Sequence, residues 1–393
     1  MRMSNESKSL RRGVRFAGCL AIAAVALGAA PAWASAATLF VAPGGSNAAG
    51  CTSAHPCRTI THAVSVASAG DRIVVRRGTY HEDVIVRKRV HLIGRRWPVV
   101  NAAGRLNGIV LAGRGSVGAS LRGFQVSNAT QEGVVAINTS WVRIVGNVVS
   151  HNDLGMFSAS PTGECAAFGE VPGDCGEGIH LMTVSHSTVL GNRITANAGG
   201  ILMTDEFGPT FRNTVAWNHV WRNQYDCGIT IPGHSPNAVS ATGELQPTMG
   251  GVYRNLIVHN VVNRNGLKGE GAGILIAAAG PGSAAYNNTV AFNTAIGNNL
   301  AGVTIHSHAP NQDVNGNRLI GNTLSNNNRG GDPDAGVTRT ADVLIFSAVV
   351  PITGTVISDN WLSNAHFGIW TQNAHASLSG NHFENIVVPV HQG

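Results

Sequence analysis

Asn147-Val-Val-Ser-His-Asn152, Asn192-Arg-Ile-Thr-Ala-Asn197, Asn218-His-Val-Trp-Arg-Asn223, Asn260-Val-Val-Asn-Arg-Asn265, Asn293-Thr-Ala-Ile-Gly-Asn298 and Asn322-Thr-Leu-Ser-Asn-Asn327 are one phrase written repeatedly. It returns one residue shorter at Asn360 and Asn381, and a short connector then leads to Gly and apolar residues. Self-similarity at this period marks a solenoid, because each unit can bury its apolar face only against its neighbours.

The units read as short strands. Val142-Arg-Ile-Val, Ser187-Thr-Val-Leu and Gly354-Thr-Val-Ile are rich in β-branched residues and stop at Gly or Asn. Beyond the N-terminal region no long segment repeats apolar residues at helical spacing. Asn recurring at one turn predicts a ladder of side-chain hydrogen bonds from coil to coil. Gly155, Gly200, Gly228, Gly273, Gly302 and Gly368 sit where a strand restarts, which suits positive φ or close backbone approach. A coil of roughly 22 to 25 residues with occasional loop insertions accounts for the uneven spacing. The expectation is an all-β chain, a parallel β-helix of about nine to eleven coils.

Residues 1–36 have a basic start, an apolar run from Phe16 to Ala30 and a small-residue site at Ala34-Ser-Ala36, the pattern of a cleavable signal peptide. No later apolar run is long enough for a membrane anchor. Residues 37–110 read as an N-terminal cap and first coils, with a short helix presenting Ile60, Val64 and Ala67 on one face and ending at Gly70; residues 111–393 hold the repeats. The C-terminal end shows no matching cap, which leaves it to a loop or another subunit. The formal charge of +6 includes +4 from residues 1–36, so the mature chain carries about +2, too little for a nucleic-acid binder driven by bulk charge. In an exported chain, Cys51 with Cys57 and Cys165 with Cys175 are the expected disulfides, leaving Cys227 as a buried thiol.

Phe40-Val-Ala-Pro-Gly-Gly, Cys57-Arg-Thr-Ile, Ala69-Gly-Asp-Arg-Ile-Val-Val, Gly78-Thr-Tyr and Leu92-Ile-Gly, followed by the Asn-Gly coils, resemble the pectin-lyase-like superfamily of right-handed parallel β-helices. The resemblance spans the mature chain. It implies an extracytoplasmic protein whose ligand is a polysaccharide lying along the solenoid, and it leaves lyase, hydrolase and epimerase chemistry open.

Aligning coils on Gly places Asp205, Glu206, His234, His306, His308 and His375 after successive strands, with Asp226 and Asp313 alongside. Asp205, Asp226, His234, His306 and His308 are the catalytic candidates. Hydrolysis needs two carboxylates at a set separation, and elimination or epimerisation needs a base with a group that neutralises a uronate. Thr204-Asp205, Asp226-Cys227 and Gly233-His234 copy the order of acids and His in the polygalacturonase-related family, but with a lone Asp replacing an Asp pair. Glu206, Arg212, Trp221, Tyr225, Asp313 and Trp370 are the candidate substrate-binding residues, the aromatics as stacking surfaces. No cofactor is required by these patterns. His306-Ser-His308 with Asp313 suits a transition metal, and Asp332-Pro-Asp334 offers oxygen ligands to calcium. The leading expectation is a secreted protein that binds and modifies a polysaccharide. The alternative is a non-catalytic envelope or accessory protein with a binding face. Convergence of Asp205, Asp226 and His306 or His308 in one groove separates the two.

Overall fold

The computed structural model describes residues 36–48, 50–152 and 176–393. The signal-peptide segment, Gly155, Cys165 and Cys175 lie outside them.

Three all-parallel sheets of 12, 11 and 14 strands run side by side. The first begins at Thr38–Val41, the second at Thr79–Tyr80, and the third, which has the longest strands, includes Ile179–Ser185, Ile201–Thr204, Ile229–Gly233, Ile274–Ala278, Val303–Ser307, Ala341–Ser347 and Phe367–Gln372. Each coil visits the sheets in rotation, giving a right-handed parallel β-helix. The helix Ile60–Val66 buries Ile60, Ala63 and Val64 over the first coil, with Thr59 capping it by accepting from the His62 amide at 3.2 Å. It stops at Ala67, short of the expected Gly70, because Ala67 is already extended.

Register fixes the core. Ile179, Ile201, Ile229, Ile274 and Val303 face one another across successive strands, and all are fully buried. Burying each such side chain stabilises the fold by about 1.5–3 kcal/mol.

The Asn residues form ladders as the repeat predicts. Nδ2 of Asn147 donates to Oδ1 of Asn192 at 3.0 Å, Asn192 to Asn218 at 3.0 Å, Asn218 to Asn260 at 3.0 Å and Asn260 to Asn293 at 3.0 Å. A second ladder runs from Asn152 through Asn197, Asn223, Asn265, Asn298 and Asn327 and ends on the buried carboxylate of Asp342. A third links Asn213, Asn255 and Asn288.

Positive φ is not where the strands restart. It falls on the residue before the ladder Asn, at Gly146, Gly191, Trp217, His259, Phe292, Gly321 and Asp359. Asn supplies the local hydrogen bonds that hold this bend, so bulky residues are tolerated there. At Gly228 the reason is close approach instead: an added Cβ would stand 2.2 Å from Val262 Cγ1 and 2.7 Å from Asn265 Nδ2.

Cys51 and Cys57 form a disulfide, and Cys227 is buried and free. Among the described residues no helix is long and apolar enough to cross a membrane.

Candidate functional site

Side chains alternate in and out along the third sheet, so the residues beside each core Ile make outward columns. One column runs His180, Leu202, Thr230, Leu275, Thr304, Leu344 and Trp370; another holds Met182, Thr204 and, further on, Ala277, His306 and Phe346.

A polar run crosses the middle of this face. His180 Nδ1 lies 3.4 Å from Glu132 Oε1, and its Nε2 is 2.7 Å from Thr204 Oγ1. Beyond Thr204, Glu206 Oε1 pairs with His234 Nδ1 at 2.9 Å. Glu206 is almost wholly buried, at 4% side-chain exposure, while His234 reaches solvent at 23%. Burial would raise the Glu206 carboxyl, but His234 and His180 outweigh it and hold the group below the ordinary carboxylate range. Glu206 is therefore an anion at neutral pH, able to orient His234 as a base. Among the described residues, Oε2 of Glu132 and of Glu206 are buried with no hydrogen-bond partner, which is unusual for native carboxylates.

At one edge of the same face Glu177 and Asp226 stand across Gly199. A Cβ placed on Gly199 would be 3.1 Å from Glu177 Oε1 and 3.1 Å from Asp226 Oδ2. The two oxygens are thus at most about 6 Å apart, close enough to act on one bond. Thr230 Oγ1 donates to Asp226 Oδ2 at 3.3 Å.

The other expected residues separate from this run. Asp205 is fully buried. Its Oδ1 accepts from the amides of His234 at 2.6 Å and Ser235 at 3.1 Å, and its Oδ2 accepts from the Gly251 amide. It thereby pins both ends of the 234–251 insert, with three backbone amides as its partners. Burial raises its carboxyl despite the three amides. His306 lies on the strand Val303–Ser307 and His308 just past its end, three strands beyond Asp205 and two beyond Asp226, which puts them about 10 Å or more from either. The five catalytic candidates do not converge in one groove.

His306 Nε2 is 3.0 Å from Asp332 Oδ2, its Nδ1 is 3.7 Å from Asp334 Oδ2, and His308 Nε2 is 3.6 Å from the same oxygen. Burial alone would lower the His306 pKa, but Asp332 and Asp334 raise it to about 9. Asp313, expected beside these imidazoles, instead accepts from the Asn315 amide at 2.9 Å in the following loop.

Trp221 lies on the second sheet, with the Arg193 guanidinium 5.6 Å from its ring and His219 stacked at 4.2 Å. Trp217 stands at the corner between first and second sheets, stacked on His259 at 4.3 Å. Tyr225 sits in the turn before the third sheet, within 5.9 Å of Lys268. The three aromatics spaced by four in sequence therefore occupy three different sides, because a coil turns a corner every few residues. Trp370 is on the third sheet but mostly buried, stacked on His391 at 5.6 Å. Arg212 is a corner residue with φ 55, and His375 belongs to the first sheet.

Glu132, Glu177 and His180 were not singled out from sequence. The signal was present: Glu132-Gly133 and Glu177-Gly178 precede strands in register with the one after Gly200, so alignment on those glycines exposes the acidic pair.

Residues 116–335 match the family described as periplasmic copper-binding protein (NosD). The chain belongs to that family. Residues 43–95, ahead of the NosD match, fit a family described as a protein of unknown function, DUF1565. No curated protein is recognisably similar in sequence. Among solved structures, this NosD-family chain is similar to an alginate lyase from Paenibacillus sp. str. FPU-7, at 12% identity and TM-score 0.54, covering 90% of this chain and 99% of that one. It is also similar to pectate lyase Pel9A, at 15% identity and TM-score 0.50, covering 83% and 80%. At these identities the likeness is one of fold.

Proposed function

We propose that the mature chain is exported, binds a polysaccharide along the outer face of the third sheet, and cleaves it by acid–base hydrolysis. The observation that carries this reading is the Glu132–His180–Thr204 and Glu206–His234 run beside the Glu177 and Asp226 pair. Hydrolysis is favoured over elimination by the Glu177 and Asp226 carboxylates facing each other across Gly199 at the edge of the sheet. Alginate lyase and pectate lyase among the fold neighbours support a carbohydrate ligand in general terms. Export rests on the signal-peptide pattern and on the family's periplasmic description. In the proposed reaction one of Glu177 and Asp226 protonates the leaving glycosidic oxygen while the other assists the attacking water, whose oxygen bonds to the anomeric carbon as the glycosidic bond breaks; His234, oriented by Glu206 at the far end of the run, holds the sugar chain and exchanges protons with solvent.

The test is a panel of neutral and uronic polysaccharides incubated with the mature protein. New reducing ends without the ultraviolet absorbance of unsaturated uronates support hydrolysis. That absorbance would replace the reading with elimination.

A second reading, a non-catalytic binding face, is favoured by the scatter of Asp205, Asp226 and His306 over separate coils. Saturable polysaccharide binding with no bond cleavage would establish it. The family description also names copper. Two imidazoles and a carboxylate within 4.8 Å of one another suit a borderline transition ion, so His306, His308 and Asp334 fit such a metal.

A further inference from the structure

We propose that His306, His308 and Asp334 form a binding site for one divalent transition ion, with an open coordination position facing solvent on the third sheet. The inference is independent of the polysaccharide reading.

One ligand atom from each residue lies within 4.8 Å of the others. The two separations to Asp334 Oδ2, 3.7 Å from His306 Nδ1 and 3.6 Å from His308 Nε2, are near the ~3.4 Å that separates donors around a tetrahedral zinc at ~2.1 Å. Small rotations of exposed side chains close the remainder.

The arrangement is also built from behind. The second nitrogen of His306 faces buried Asp332 at 3.0 Å, the carboxylate backing that orients a metal-bound imidazole and fixes which nitrogen is left to bind. Asp332 is itself held, accepting the Ala335 amide at 3.0 Å and bridging to Val337. The backbone of His308 is fixed by Gln312, whose Oε1 accepts from the His308 amide at 2.8 Å, the Ala309 amide at 2.9 Å and the Ser307 hydroxyl at 2.8 Å. Phe346 packs against both imidazoles, with ring centroids 5.9 and 5.8 Å away.

Charge and donor type select the ion. Metal entry displaces the proton from His306, and two neutral imidazoles with two carboxylates then balance a double positive charge, so the occupied site buries no net charge. Nitrogen donors suit Zn²⁺ or Cu²⁺ and not Ca²⁺, which takes six to eight oxygens. The side chains of His308 and Asp334 are 37% and 52% exposed, so a water or a sugar hydroxyl can complete the coordination. The other triad of ligating groups, Cys51, Cys57 and His62, has its sulfurs tied in the disulfide.

The test uses the tag-free, metal-stripped mature chain titrated by calorimetry with Zn²⁺ and Cu²⁺, with Ca²⁺ as competitor, and Co²⁺ as a visible-spectrum probe of coordination number. One equivalent is expected, with Kd of about 10 μM or tighter. His308→Ala and Asp334→Asn, both on exposed side chains, should each weaken it by about 10- to 100-fold, leaving the metal-free melting temperature unchanged. Co²⁺ should give the intense bands of a four-coordinate site in the parent protein only. Absence of binding, equal affinity in both variants, or displacement by Ca²⁺ would each overturn the proposal.

Discussion

Two adjacent carboxylates, Asp205 and Glu206, meet different partners just past the end of a strand: Asp205 takes three backbone amides and Glu206 takes the His234 ring. Asp205→Ala removes the acceptor of three buried amides, each of which costs about 1–3 kcal/mol when left unpaired. The expected result is a large loss of stability in denaturant unfolding, with faster proteolysis inside residues 234–251. Glu206→Gln keeps the shape of the pair with His234 but removes its charge. Turnover on the cleaved polysaccharide should fall by about 10²- to 10⁴-fold with the melting temperature nearly constant; equal activity in this variant would remove Glu206 and His234 from the reaction. Sequence showed that acids and imidazoles follow the Gly residues. It could not show which of Asp205 and Glu206 points inward, since a strand ends there and the insert's two ends meet only in space.

At the scale of the element, the Asn ladder is the part most fully legible, because it depends on a local corner repeated at the same place in every coil. Asn260 accepts from the backbone and side-chain nitrogens of Asn218, both at 3.0 Å, and donates to Asn293 and to the Val215 carbonyl at 2.9 Å. Replacing it with Ala orphans these groups and should destabilise the protein by about 2–4 kcal/mol, measured by chemical denaturation. Where the second ladder ends, Asp342 takes the place of Asn. Burial, opposed by donors from Asn327 and Ser363, pushes its carboxyl up to about 7. A folded pKa raised above the unfolded one means that the stability this group contributes is present at low pH and is lost as pH rises through about 7. The melting temperature should therefore fall as pH rises from about 4 to about 7 and level off above that, and Asp342→Asn should flatten that slope; an unchanged slope would assign the pH dependence to other groups. The inserts were less readable. Asp332 and Asp334 reach His306 only because residues 328–340 fold back over the sheet, a contact with no periodic signature.

Over the whole molecule, the repeat predicts the architecture because contacts between coils are made by residues at equal positions in successive units, so one readable coil implies the next. The aromatic spacing misled for the same reason: Trp217, Trp221 and Tyr225 are four apart along a chain that changes face within that distance. Thiol counting on the denatured, unreduced mature protein should give one free thiol, Cys227, if Cys165 and Cys175 are paired as their spacing suggests. Three free thiols would show that they are not.

Every rung of the first ladder passes its amide hydrogen the same way, from the earlier coil to the later one. Each unit therefore offers, on one side, the acceptor that its predecessor needs and, on the other, the donor that its successor needs. A duplicated unit dropped between two others meets matching partners on both sides, and an excised one leaves matching partners behind. The gene can thus lengthen or shorten the molecule in whole turns while preserving the polarity of the stack. Fractions of a turn break it.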